Sequence, residues 1–146
     1  MHVRQQIRDQ IVSLLTGLPT TQDRVFVDVD VPVSSDEVPC IIVRTPKDEF
    51  YEGLSTYSGD QTRDLTIEIE ARAKGQNAVD VTDTICLEVE TVFFNNDDLS
   101  IGLADLRYGG TDITISADTE KTVVTAILTI NGHYRINKSN PGVMVA

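Results

Sequence analysis

The stretch Thr62-Arg63-Asp64-Leu65-Thr66-Ile67-Glu68-Ile69-Glu70-Ala71-Arg72-Ala73-Lys74 decides how the chain is read. Apolar residues stand at 65, 67, 69, 71 and 73, with polar or charged residues between them. Side chains alternate faces along a strand, so this is one long half-buried β-strand. Gly75 interrupts it, and the period then changes. Ala78, Val81, Ile85, Val89, Val92 and Phe93 recur at steps of three or four. That spacing predicts an amphipathic helix of about five turns, with Asn77 as its N-cap and Asn95-Asn96-Asp97-Asp98 as its exit. A strand with one core face and a helix with one apolar face, from Thr62 to Asn96, form the unit onto which the rest is built.

Working outward, Val3, Ile7, Ile11, Leu14, Leu15 and Leu18 make one face of a first helix over residues 2–16, which Gly17 and Pro19 end. Arg24 to Val31 alternates as a Val-rich strand, and Cys40-Ile41-Ile42-Val43 is a continuous apolar run suited to a strand inside the sheet. Leu99 to Tyr108 has no settled period, Ile113-Thr114-Ile115 reads as strand, and Thr122 to Ile136 is a long final strand. Val124, Ala126, Leu128, Ile130, Tyr134 and Ile136 share its core face. The order α-β-β-β-α-β-β predicts a two-layer α+β domain, a mixed sheet of about five strands with two helices on one face. The first two strands, and the last two, are close enough for antiparallel hairpins. The helix between the third and fourth strands suits a crossover. Residues 1–136 form the single domain, interrupted by a long loop at 46–61, and 137–146 read as a flexible tail.

The chain has 146 residues, 40% of them hydrophobic, and is long enough for a core without staples. Its net charge of −11 argues against a grip on nucleic-acid phosphates, while permitting a surface along which nucleic acid slides. Cys40 and Cys86 lie in apolar segments and read as reduced, buried small residues. No apolar run approaches the roughly 20 residues that span a bilayer, and the N-terminus lacks a signal layout. The expectation is a soluble chain that is intracellular where it is made.

Two surfaces have chemical character. Asp28 and Asp30 point one way on the first strand, and Glu68 and Glu70 do so on the third. They predict an acidic face, an ordinary solvated one or one with a role in an assembly or its lumen. Four carboxylates also suit a divalent cation or acid–base work, so a metal-dependent hydrolase is the enzymatic alternative. The loop at 46–61 carries Phe50, Tyr51, Leu54 and Tyr57, aromatic and apolar residues of the kind found in interface cores, and is a candidate contact arm. Nucleophilic catalysis finds little support: Cys40 lies in a core strand, and His2 and His133 stand far from it in sequence. No Gly-rich phosphate loop is present. Asn95 to Asp98 lacks the Gly and distal Glu of a calcium loop. No catalytic residue, metal ligand or cofactor is assigned.

The element order carries a resemblance over residues 3–136. Helix R-Q-Q-I-R-D-Q-I-V-S-L-L-T-G-L leads into R-V-F-V-D-V-D-V-P-V, then V-P-C-I-I-V-R-T and R-D-L-T-I-E-I-E-A-R-A. Helix A-V-D-V-T-D-T-I-C-L-E-V-E-T-V-F-F and the strand V-V-T-A-I-L-T-I-N-G-H-Y-R follow. This pattern resembles the tail terminator (minor tail protein U-like) family of long, non-contractile-tailed bacteriophages. The resemblance implies a structural virion protein, not an enzyme. Six copies would form a ring that caps the tail tube, ends its polymerisation and offers the head-joining surface. The implied partners are further copies of the chain, the tail tube protein and the head–tail connector protein. DNA would pass without tight binding, and the site of action would be the head-proximal end of the tail. Another head–tail junction protein, such as a tail-completion or connector protein, is the alternative within the same class. Like charge on every copy opposes assembly, so salt or divalent cations are expected to favour the ring.

Overall fold

Alternation at residues 62–74 becomes the centre of the sheet. The computed structural model describes residues 1–27, 38–51, 60–95, 102–117 and 122–145. The elements run α1 (Val3–Leu15), β1 (Val25–Val27), β2 (Cys40–Phe50), β3 (Asp60–Lys74), α2 (Ala78–Phe94), β4 (Ala104–Ala117), β5 (Thr122–Asn137) and β6 (Asn140–Met144). The sheet is mixed, in the order β1-β2-β3-β5-β4, with β6 also paired to β5. Leu65, Ile67, Ile69, Ala71 and Ala73 of β3 face the helices and are buried. So do Val124, Ala126, Leu128, Ile130, Tyr134 and Ile136 of β5. From the other layer come Val3, Ile7, Ile11 and Leu15 of α1, at steps of four, and Ile85, Val89 and Phe93 of α2. The fold is the two-layer α+β domain of the element order, with both helices on one side.

Strand directions follow from the connections. β3 is antiparallel to β5, and β5 to β4, so β4 runs parallel to β3 with β5 inserted between them. The helix α2 makes that crossover, and Gly75 starts it at φ +110°, a conformation that L side chains rarely adopt. The first pair departs from expectation: β1 is parallel to β2, with Val25 beside Ile41. A hairpin is excluded because it joins antiparallel strands, and this pair is parallel. The predicted loop at 46–61 is mostly strand at its ends, since β2 continues to Phe50 and β3 begins at Asp60. The predicted tail at 137–146 folds back as β6, pairing Met144 with Ile136. The N-terminal part of the strand expected over 24–31 is β1, while residues 28–31 lie outside the described residues.

Helix ends also differ from the reading. Asn77 makes no side-chain cap on α2. Instead its carbonyl accepts from Val81 N–H at 3.0 Å. It is α1 that has a side-chain cap, with His2 Nδ1 accepting from Arg4 N–H at 3.0 Å.

One polar hub ties the layers together. A bulge between Arg44 and Lys47 inserts one residue into β2, at Thr45-Pro46, and reverses which side chains face inward. Asp48 therefore lies opposite Leu65 on the helix side, with its side chain 6% exposed. Its Oδ2 accepts from Arg4 Nη1 of α1 at 2.8 Å, Arg63 Nη1 of β3 at 3.2 Å and Tyr134 OH of β5 at 2.5 Å. Two guanidinium groups supply the opposite charge that a buried carboxylate needs.

Candidate assembly surface

The sheet face away from the helices holds the carboxylates singled out above. Glu68 and Glu70 alternate onto it, but they do not form an open acidic surface. Glu70 is buried, and its carboxylate is shared by two guanidinium groups. Arg44 Nη1 donates to Oε1 at 2.9 Å, and Arg72 Nε donates to Oε2. The antiparallel register places Arg44 opposite Glu68, next to Glu70 on the same face. Lys47 pairs with Glu49 at 2.8 Å farther along. Over the described residues Glu70 is thus paired across to β2 and along β3, while Glu68 is half-buried opposite Arg44. Asp28 and Asp30 lie outside them. A carboxylate held by two guanidinium groups is poorly placed to act as a cation ligand. Among the described residues no group of three or more His, Cys, Asp or Glu is placed to hold a metal ion.

At the far end of that face, β5 presents His133. Arg107 Nη2 donates to Asp64 Oδ1 at 2.7 Å and lies 3.3 Å from His133 Nε2. A carboxylate stands on each side of the imidazole, Asp64 Oδ1 3.7 Å from Nε2 and Asp105 Oδ2 3.7 Å from Nδ1. Tyr51 leans on the imidazole with ring centroids 4.3 Å apart and planes at 41°. Beside the pair opens a pocket of about 700 Å³, lined by Tyr51, Leu103, Asp105, Tyr134 and Met144 among others. Of the predicted contact residues, Tyr51 is thus part of a cleft, and Phe50 is 56% exposed at the end of β2. Leu54 and Tyr57 lie outside the described residues.

A run of exposed apolar residues lies elsewhere, on β4. By register Tyr108 stands beside Ile130, Ile113 beside Ala126 and Ile115 beside Val124, so all three face the helix side of the sheet. Their neighbours on β5 are buried, yet Tyr108 is 52%, Ile113 51% and Ile115 60% exposed. α2 packs on β5 and β3, and α1 on β2 and β1, which leaves β4 beyond both helices. The sequence reading assigned Ile113-Thr114-Ile115 to a strand but not to a site. The signal was available in the element count. A helix about 10 Å wide covers about two strands spaced near 4.8 Å, so two helices cover about four and a fifth strand stays bare.

β4 is also an edge. Among the described residues, β5 alone pairs with it, so one row of its backbone N–H and C=O groups is open. From Gly110 to Ala117 the register is unbroken. Between Tyr108 and Ala117 the single charged residue is Asp112, which lies beside Ile127 on the opposite face.

Cys40 and Cys86 are reduced thiols, Cys40 buried and Cys86 half-buried. No helix among the described residues is long and apolar enough to cross a membrane. Searches of known protein families and of curated proteins found no match to the chain.

Proposed function

We propose that this chain is a ring-forming structural subunit of a phage tail, the one that caps the tail tube, ends its polymerisation and presents the surface to which the head joins. The observation that carries the reading is the bare helix-side face of β4, an apolar, charge-poor strip on a chain of net charge −11. An edge strand with apolar side chains and open backbone groups is stable in solution when another chain covers it. The element order α-β-β-β-α-β-β, on which the resemblance to the tail terminator family rests, supports the same reading. So does the excess of acid, which lets DNA pass a lumen without adhering.

The test is assembly. Purified chain added to polymerising tail tube protein should arrest tube growth and appear as a ring at one tube end in negative-stain images. Tubes that grow to the same length distribution with and without the chain would remove the proposal.

A further inference from the structure

The ring reading leaves open which surfaces of neighbouring copies meet. Among the described residues the strand order ends in two unlike edges. One is β4; the other is β1, Val25–Val27, which among the described residues pairs with β2 alone. We infer that copies of this chain join head to tail through these edges, β4 of one copy laid beside β1 of the next. The inference rests on the ring reading and assigns its seam.

Charge selects the partner. Every copy repels every other at a net charge of −11, so two copies approach where neither presents like charges. Charged residues make up 24% of the chain, yet β1 carries none and β4 from Tyr108 to Ala117 carries Asp112 alone, on the far face. β4 from Tyr108 to Ala117 contains none of the Lys or Pro with which natural proteins guard an edge against pairing, and β1, although only three residues long, has none either. Both offer apolar side chains: Val27 is 38% exposed on β1, and Ile113 and Ile115 are more than half exposed on β4.

Symmetry selects the mode. Joining like edges, β4 to β4, gives a closed two-fold pair and uses up the surface. Joining unlike edges leaves one of each free after every addition, which is the heterologous contact that closes into rings. Strand direction agrees. Within one copy β1 is antiparallel to β3 through β2, while β4 is parallel to β3, so β1 and β4 run in opposite directions. Rotation about an axis along the strands preserves direction, so β4 meets the neighbour's β1 antiparallel, the more stable pairing.

Cross-linking tests the seam. In a Cys86→Ser background, where the remaining Cys40 is fully buried, Val27→Cys and Ile113→Cys are made singly and together, and treated with a short bis-maleimide. The seam predicts no cross-linked dimer from either single variant, a dimer from their equimolar mixture, and a ladder of multimers from the double variant. A dimer from Ile113→Cys alone would show like-edge pairing and overturn the inference. Absence of product from the mixture while the unmodified chain assembles would overturn the seam and leave the ring standing. An unmodified chain that stays monomeric removes both.

Discussion

Ile115 and Val124 are partners in one antiparallel ladder and share a face of the sheet, yet Val124 is fully buried and Ile115 is 60% exposed. The boundary of the helix layer falls between them. One strand's width therefore separates residues that hold the fold from residues available to a neighbour. Val124→Ala should cost roughly 2 kcal/mol, from lost transfer energy and the cavity left behind. Ile115→Asp should leave stability within about 0.5 kcal/mol and abolish self-association. Urea unfolding and sedimentation, run on both variants, separate the two effects.

Removal of the Asp48 carboxylate should be among the most damaging polar substitutions. Asp48→Ala leaves Arg4, Arg63 and the Tyr134 hydroxyl without their shared acceptor, and roughly 2–4 kcal/mol of stability should be lost in urea unfolding. Burial, then the hydrogen bond to Asp48, pushes the Tyr134 hydroxyl well above its ordinary pKa of 10.0. A raised folded value means that stability is intact below about pH 10 and falls as pH rises beyond it. Tyr134→Phe should flatten that alkaline decline.

The α1 cap should titrate in the opposite direction. Burial, helped by Arg4 and Arg63, holds His2 below its ordinary pKa of 6.5. The cap needs a neutral Nδ1 to accept from Arg4 N–H. A lowered folded value places the contribution above about pH 6.5 and removes it as pH falls through that value. His2→Ala should cost about 0.5–1 kcal/mol at neutral pH, and His2→Asn should keep the cap while removing its acid dependence. Thermal unfolding at several pH values reads both.

Cys86 should be a slow thiol. Burial first, then Glu90 and Asp83, pushes its pKa up to about 11. The thiolate is the reactive form, so alkylation by iodoacetamide near pH 8 should be far slower in the folded chain than in urea. Equal rates in both states would contradict the structure.

The fold was legible where periodicity was unbroken. Val3 to Leu15, Leu65 to Ala73, Ala78 to Phe93 and Val124 to Ile136 announced their elements and core faces, because burial selects residue type at a fixed spacing. Legibility failed at bulges. The inserted residue near Pro46 and the two irregularities between Ala104 and Gly110 shift the alternation by one, so continuous strands read as loop or blur. Register was hidden as well. Nothing in the spacing of Glu68 and Glu70 places Arg44 beside Glu70, so salt-bridged pairs looked like an acidic surface. The bare face of β4 was readable only by counting strands against helices.

Sedimentation velocity of the purified chain, at low and high ionic strength and with added Mg²⁺, decides whether copies close into a ring. With net charge −11 on each copy, screening should drive assembly, so the chain should shift from monomer to a closed ring of six as salt or Mg²⁺ rises. A chain that remains monomeric across the series would rule out the ring, and a ring that dissociates as salt is added would rule out charge repulsion as what opposes it.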